Sequence, residues 1–518
     1  MRRKLVSLLL AALMLLALTA CGTGGTDTPS DNPTNAPATS APTAGDTPTQ
    51  APSDEVVTLR MVMMLLGSQP SDFEKVIGKI NEIAIAETGT QIEVTGFNNS
   101  AYKEQMNLIF ASQEKLDVFL TGTASMFDYA NQVAKGMLTP LNDLLDTHGQ
   151  DIKEVLGSYL DASLAGDGNY YGVTTRRDLS KAYGVQVVKE YMDKYDLDFE
   201  QYTAFEQTTP EWAKIKASGD DIIPVMGNRS GTLMYAMTAL TSSDAASDNS
   251  YIRLMNPTES LELENIFATD IYQENARVAR EWYNEGYTML DAVTNTLTGF
   301  ELMKSDRLVA YGSDLKAGEE GQTERSTGRE TYVKWYTPYY ANTMSTTSYM
   351  WGIPSHVEDA EAAMKFLNLM FASEDVVNLF CWGIEGEHYV ITDTGNINYP
   401  DGVTSDNTGY QLNINWVWGD QFKSKVWGTD PVDLWEKMDY DNKNAVVSKA
   451  LGFIFDTNPI KTQYAAVMNV LDEYRRSIEY GVVDPETAIP DFITKLESAG
   501  YNDIIAEKQA QLNAWAGV

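Results

Sequence analysis

The segment Val56-Val57-Thr58-Leu59-Arg60-Met61-Val62-Met63-Met64 decides the fold, because it is a nearly continuous apolar run. Such a run is typical of a strand buried on both faces, as in a parallel sheet. A turn, Gly67-Ser68-Gln69-Pro70, follows it. Ser71 and Asp72 can then cap a helix whose apolar residues recur at helical spacing between residues 73 and 83.

The same strand and helix order repeats in the next part of the chain. Gln91-Ile92-Glu93-Val94-Thr95 alternates as a strand does, residues 102–111 read as a helix, and Leu116-Asp117-Val118-Phe119-Leu120 is another apolar strand. Strands that alternate with helices predict βαβ units and a largely parallel sheet. The sequence therefore predicts an α/β fold.

Small or polar residues follow each predicted strand at its carboxyl end. In open α/β sheets, ligands gather at this edge. Turn residues have the same composition, so a turn and a ligand-binding loop are both consistent with these segments. The candidates for hydrogen bonding a ligand are Gln69, Asn99, Thr121 and Thr123.

Several motifs follow one another in a recognisable order. They are Asp117-Val118, Gly136-Met137-Leu138-Thr139-Pro140-Leu141, Asn169-Tyr170-Tyr171-Gly172-Val173, Ser305-Asp306-Arg307-Leu308-Val309-Ala310-Tyr311-Gly312, Trp351-Gly352-Ile353-Pro354, and Trp382-Gly383-Ile384-Glu385-Gly386-Glu387-His388-Tyr389. In this order the chain resembles the extracellular solute-binding proteins of ABC importers, family 1. The last motif resembles that of a carbohydrate-type subgroup, whose C-terminal portion is a domain of unknown function.

The resemblance implies a periplasmic-binding-protein-like fold of type II, in which two lobes are joined by hinge strands. We expect lobe 1 at residues 55–175, with 350–390 returning to it. We expect lobe 2 at residues 176–349, with 391–518 packing mainly on it. Two lobes joined by a few segments can close on a ligand, and an importer can read the closed form.

The resemblance also implies candidate ligand-binding residues. Sugar sites pair flat aromatic rings with amides, carboxylates and Arg, and the chain has 10 Trp and 28 Tyr. The aromatic candidates are Tyr311, Trp351, Trp382 and Tyr389, although large aromatics also fill cores. The charged candidates are Arg176, Arg177 and Glu385. Either Arg could bind a solute in bidentate fashion or pair with an acidic residue, and Glu385 could accept a hydrogen bond or organise its loop.

The N-terminus predicts export and a lipid anchor. Met1-Arg2-Arg3-Lys4 precedes an apolar run from Leu5 to Leu18, which is typical of a signal peptide and too short to span a membrane. Leu18-Thr19-Ala20-Cys21 resembles the lipobox of bacterial lipoproteins, which implies lipidation at Cys21 after removal of residues 1–20. The Pro-, Thr- and Ser-rich residues 21–54 predict a disordered tether. The expected location is the outer face of the cell membrane.

Composition and motifs exclude several functions. A net charge of -35 argues against nucleic acid as a partner. The three His are far apart, and neither a nucleophile elbow nor a phosphate loop is present, so we expect no metal, no cofactor and no catalytic residue. The sequence has one cysteine besides Cys21, which is Cys381. Its apolar neighbours predict a buried thiol.

Together these features predict a lipoprotein that captures a carbohydrate, in particular an oligosaccharide, and delivers it to the permease subunits of an ABC importer. Two alternatives stay open: a binding protein for a peptide or another polar metabolite, and a surface enzyme that degrades glycans. The enzyme alternative remains because a glycosidase needs only two carboxylates at a suitable separation, and the chain has 73 acidic residues.

Overall fold

The structure is a computed structural model, and it describes residues 56–122, 127, 129–227, 231–428 and 430–518. The strands are β1 Val57–Leu65, β2 Thr90–Asn98, β3 Val118–Thr121, β4 Val173–Thr174, β5 Ala182–Val188, β6 Ile223–Met226, β7 Ile252–Leu254, β8 Leu263–Asn265, β9 Leu308–Leu315, β10 Thr331–Trp335, β11 Tyr340–Ala341, β12 Met350–Gly352, β13 Val390–Ile391, β14 Ile397–Asn398 and β15 Val446–Val447. The predicted signal peptide, Cys21 and the predicted tether lie outside the described residues.

The helices are α1 Phe73–Thr88, α2 Asn99–Ser112, α3 Tyr129–Ala134, α4 Asn142–His148, α5 Gln150–Leu156, α6 Lys189–Tyr195, α7 Thr209–Ser218, α8 Thr238–Thr241, α9 Asp270–Asn284, α10 Gly299–Lys304, α11 Glu319–Thr327, α12 Thr343–Thr346, α13 Ala360–Ala372, α14 Glu374–Trp382, α15 Leu434–Lys443, α16 Lys461–Glu479, α17 Pro485–Ser498 and α18 Tyr501–Ala516. No helix in the described ranges combines the length and the apolarity needed to cross a bilayer.

The opening apolar run forms the middle of a first sheet with strand order β2-β1-β3-β12-β4. Strand β1 pairs in parallel with both β2 and β3, as the alternation of strands and helices predicts. Its residues from Met61 to Leu65 are all buried, because helices cover both faces of the sheet. Strand β12 joins the sheet from far along the chain and runs antiparallel to β3 and β4.

A second sheet has the strand order β10-β5-β9-β6. Only β6 and β9 are parallel in it, whereas β5 is antiparallel to both β9 and β10. The prediction of a largely parallel sheet therefore describes the first sheet better than the second. Each sheet has its own hydrophobic core.

Helix α1 begins where the sequence predicts, but its cap differs. The Asp72 side chain makes no capping hydrogen bond to the helix. Its Oδ2 atom lies 3.1 Å from Nε2 of His388, and the Ser71 hydroxyl donates to the carbonyl of Gly409. A contact with a distant loop has replaced the local cap.

The chain passes between the two sheets at residues 175–181, after β4, and again at residues 336–349, before β12. The later segments divide between the cores. Tyr410, Leu412, Ile414, Val417 and Trp418 belong to the core of the first sheet. Buried residues of α16, α17 and α18 belong to the core of the second sheet.

Candidate functional site

A cavity of about 640 Å³ is bordered by segments from distant parts of the chain. Four half-buried tryptophans, two tyrosines and a series of amide side chains line it. The aromatic members are Trp382, Tyr399, Tyr410, Trp416, Trp427 and Trp435. The amide members are Gln322, Gln411, Asn413, Asn415 and Gln421. We call this space the tryptophan cavity.

One wall comes from the end of β9 and the start of α11, where Gly318 is required. Its φ of +79° lies in the left-handed region, which glycine adopts without strain. A Cβ at this position would also lie 2.7 Å from Cδ1 of Leu434, in α15. Gly318 thus lets α11 and α15 approach each other across one end of the cavity.

The tryptophan rings are fixed by pairs of neighbours. The ring centroids of Trp382 and Trp427 are 5.1 Å apart, and the indole N–H of Trp382 donates to the Lys425 carbonyl at 3.0 Å. Trp435 stacks on Phe422 with centroids 5.6 Å apart. These contacts hold the rings in place at the cavity wall.

The charged groups at the cavity are largely paired. Arg325 Nη1 lies 2.7 Å from Oδ2 of Asp430, whose side chain is buried. His388 accepts a hydrogen bond from the Ile384 N–H through Nδ1, and its Nε2 lies 3.1 Å from Oδ2 of Asp72. Pairing of these charges leaves a cavity suited to a neutral ligand.

Two buried polar groups at the cavity have no hydrogen-bond partner among the described residues: the indole N–H of Trp416 and Oδ1 of Asp430. Buried polar groups in proteins are nearly always hydrogen-bonded. An unsatisfied donor and an unsatisfied acceptor therefore lie within the wall, beside the aromatic rings. A ring with an apolar face and a rim of hydroxyls has the complementary chemistry.

Cys381 also borders this cavity, although only 3% of it is exposed. Burial raises the pKa of its thiol above the ordinary value. A thiol in this state is a poor nucleophile, because the reactive form is the thiolate. The interpretation of Cys381 as a buried thiol is confirmed.

Of the candidates from the sequence, Trp382 lines the tryptophan cavity. Gln69 lies in the exposed turn after β1, and Asn99 is exposed at the start of α2. Thr121 is buried at the end of β3, where its hydroxyl donates to the Phe127 carbonyl at 2.8 Å. Thr123 lies outside the described residues.

Trp351 and Tyr311 need correction, because both are fully buried in the cores. Trp351 occupies the middle of β12, and its indole N–H donates to the Val417 carbonyl at 2.6 Å. Tyr311 lies in β9, and its hydroxyl donates to the Gln186 side chain. Neither ring is available to a solute, since strands and helices cover both.

The two arginines lie in the first crossing segment and bind acidic or carbonyl groups of the protein. Arg176 pairs with Asp420 and Asp439 at 3.1 and 2.7 Å. Arg177 is buried and donates to the Ser345 carbonyl at 2.7 Å. Of the two roles considered for these residues, the structure shows pairing within the protein: Arg177 joins the two crossing segments, and Arg176 joins the first of them to Asp420 and Asp439.

Glu385 and Tyr389 belong to the loop after α14. Glu385 is exposed, whereas Tyr389 is buried, and burial raises the pKa of its hydroxyl to about 12. In the same loop, Glu387 and His388 meet Asp72 with ligand atoms within 4.8 Å of one another, as a metal site would require. Lys75 pairs with Glu387, so an ammonium group already supplies positive charge there.

Sequence reasoning did not select Trp427 and Trp435 as candidates. A signal for them exists, because Trp416, Trp418, Trp427 and Trp435 fall within one short, irregular stretch. Only the folded chain separates Trp418, which is fully buried, from the other three. The predicted set therefore overlaps the cavity at one position.

The family described as "Bacterial extracellular solute-binding protein" matches residues 71–377, more than half of the chain. The chain belongs to this family. Residues 449–517 match a second family, described as a domain of unknown function. In this solute-binding protein, residues 449–517 consist mostly of helices α16, α17 and α18.

Similar proteins agree with this membership. A "Carbohydrate ABC transporter substrate-binding protein" of Streptococcus pneumoniae serotype 4 is 22% identical over 471 residues, which cover 87% of this chain and 89% of the relative. The N-glycan transport solute binding protein NgtS of S. pneumoniae aligns with a TM-score of 0.78 at 19% identity, over 89% and 99% of the two chains. NgtS has also been solved in complex with Man1GlcNAc and with Man5GlcNAc.

An extracellular solute-binding protein from Bifidobacterium longum subsp. infantis aligns with a TM-score of 0.61 at 15% identity, over 89% of this chain and 99% of that one. At such identities the likeness concerns the fold. It confirms the predicted α/β fold of the two-lobed, periplasmic-binding-protein type.

Proposed function

We propose that this protein captures an oligosaccharide outside the cell and delivers it to the permease of an ABC importer. The observation that carries the proposal is the tryptophan cavity, where four half-buried indole rings stand beside five amide side chains. Apolar ring faces bind the C–H face of a sugar, and amides bind its hydroxyls. The carbohydrate relatives of S. pneumoniae support the same ligand class.

The crossing segments join two lobes, and we propose that these lobes close on the bound solute. We place lobe 1 at residues 55–175 and 350–390, and lobe 2 at residues 176–349, with 391–518 mainly on lobe 2. The tryptophan cavity receives residues from both sides, since Trp382 belongs to the first and Lys316 to the second. A solute that contacts both lobes would favour the closed arrangement through its differential affinity.

The test is a thermal-shift screen of the secreted chain carrying Cys21→Ser, with Man1GlcNAc, Man5GlcNAc, malto-oligosaccharides, amino acids and short peptides. We expect an oligosaccharide to raise Tm, because a ligand present at 100 times its Kd stabilises the folded state by about 2.7 kcal/mol. Small-angle X-ray scattering with the same sugar should show a smaller radius of gyration. A response to peptides alone would contradict the proposal.

The competing function, glycan degradation, can be tested directly. The same oligosaccharides are incubated with the protein and analysed for shorter products. We expect the sugars to be recovered intact, because a binding protein binds and releases its ligand without changing it chemically. Products formed over many cycles per protein molecule would instead identify an enzyme.

We also propose that the protein is tethered to the membrane through a lipid on Cys21. The lipobox-like Leu18-Thr19-Ala20-Cys21 and the apolar run before it support this placement. Two or more acyl chains hold a protein stably at a bilayer. Labelled palmitate should enter the unaltered chain and should not enter Cys21→Ala; equal labelling of both would refute the anchor.

A further inference from the structure

A second cavity, of about 310 Å³, lies next to the core of the second sheet. Its wall includes four tyrosines and three charged residues: Lys181, Tyr183, Tyr235, Asp248, Tyr251, Arg253 and Tyr340. We call it the tyrosine cavity. It shares no residue with the tryptophan cavity.

The loop that forms one wall of the tyrosine cavity has an unusual backbone. Ala246, Ser247 and Tyr251 have φ angles of +47°, +74° and +62°. Each non-glycine residue in the left-handed region costs on the order of 1 kcal/mol or more. Residues in such conformations persist only where surrounding structure holds them, and they cluster at ligand sites.

The C-terminal helices supply that support. Lys508, in α18, is fully buried, and its ammonium donates to the carbonyls of Ala245 and Ile252 at 2.7 and 3.1 Å. It also pairs with Oδ1 of Asp248. Tyr501, at the start of the same helix, donates to the Ser250 carbonyl at 2.9 Å. Burial of a lysine is costly. Here the buried Lys508 holds the loop of residues 245–252 in place.

The chemistry of the cavity favours a hydroxyl-rich ligand, and Arg253, whose guanidinium donates to Ser243 Oγ and to the carbonyls of Leu240 and Ser243, adds a positive charge to the wall. Lys508 offsets the charge of Asp248, and Lys181 is paired with Asp314. Oδ2 of Asp248 has no hydrogen-bond partner among the described residues, and the hydroxyl of Tyr340 is hydrogen-bonded to Ser448. An acceptor and a hydroxyl donor between aromatic rings match the groups on a sugar ring.

Two consecutive residues, Ser348 and Tyr349, contact the walls of the two cavities. Ser348 lines the tyrosine cavity, and the next residue, Tyr349, has its ring centroid 6.2 Å from that of Trp416 in the tryptophan cavity. We propose that the tyrosine cavity is a second compartment of the glycan site, which takes a further sugar unit of the same oligosaccharide. In this arrangement, Lys508 of the C-terminal domain is a positioning residue that holds the wall. This inference rests on the proposed function.

The variant is Tyr340→Phe, because it removes one hydroxyl from the wall of the cavity and keeps the aromatic ring. Isothermal titration calorimetry measures the affinity for a long and a short sugar in each of two series. The pairs are Man5GlcNAc with Man1GlcNAc, and maltopentaose with maltose. We expect Tyr340→Phe to weaken the long member about fivefold, the value of one hydrogen bond. The short member should change less than about twofold.

The matched control is Tyr336→Phe, which removes a buried tyrosine hydroxyl from a residue that does not line this cavity. It should leave the affinity of both members unchanged. Equal effects of the two Phe variants, or equal loss for long and short sugars, would overturn the second compartment. If no sugar bound the unaltered protein, the proposed function would fail and this inference with it.

Lys508→Met tests the positioning role, with Lys508→Arg as the conservative variant. We expect the Met variant to bring the long-to-short affinity ratio towards that of Tyr340→Phe, and the Arg variant to retain more of it. A purely structural residue would lower the affinity for both sugars alike. If the Met variant does not fold, the Arg variant and Tyr340→Phe still decide the outcome.

Discussion

Trp351→Ala should lower the free energy of unfolding by about 3–5 kcal/mol, the cost of removing a large aromatic side chain from a core. Trp351 is fully buried in β12, with its ring centroid 5.9 Å from that of Trp418. Trp418 stacks in turn on Phe380 at 3.9 Å. The substitution removes one end of this stack, and whole-domain stabilities are only about 5–15 kcal/mol. Urea unfolding followed by circular dichroism measures the effect.

Trp351→Phe is the informative companion, because it keeps a ring in the stack and removes the hydrogen bond to Val417. We expect it to cost less than Trp351→Ala. Folded Trp351→Phe protein should bind an oligosaccharide as the unaltered protein does. Loss of affinity with unchanged stability would show that this ring contacts the solute, contrary to its burial.

Trp382→Ala should weaken oligosaccharide binding by about 2 kcal/mol, or roughly 30-fold in Kd, as expected for an aromatic anchor. Trp382 is half-buried at the end of α14 and lines the tryptophan cavity beside Trp427. Its replacement removes an apolar face that the sugar would cover. Isothermal titration calorimetry, with the sugar that gives the largest thermal shift, measures the change.

A matched control for Trp382 is Trp515→Ala. Trp515 is also half-buried, but it lies in α18 and packs against Phe453 with centroids 6.0 Å apart. It lines neither cavity, so its loss should leave Kd within about twofold. If Trp382→Ala bound as tightly as Trp515→Ala, the tryptophan cavity would not be the principal sugar site.

Much of the first sheet could be predicted from local patterns. The apolar run at residues 56–64 becomes β1, and the alternating Gln91–Thr95 becomes part of β2. Such patterns succeed because a strand buried on both faces needs apolar residues on both. The second sheet was predicted less well, since β9 and β10 pair with β5, which lies more than a hundred residues earlier.

The limit of prediction from local sequence patterns is clearer at the candidate site. Trp351 and Trp382 are the same type of residue in similar apolar surroundings, and both were selected as candidates. One is fully buried in a strand between two neighbours, and the other faces a cavity. The difference depends on β3, β4 and the segment around residue 417, none of which is adjacent to either tryptophan in sequence.

The sequence by itself determined the class of fold, the family motifs and the supply of aromatic and amide side chains, because periodicity and composition act locally along the chain. The tertiary structure decided which of those side chains form a cavity and which fill a core. It also decided that Lys508 supports a loop some 260 residues away. The physical reason is that burial and pairing are properties of contacts between distant segments, which no local pattern records.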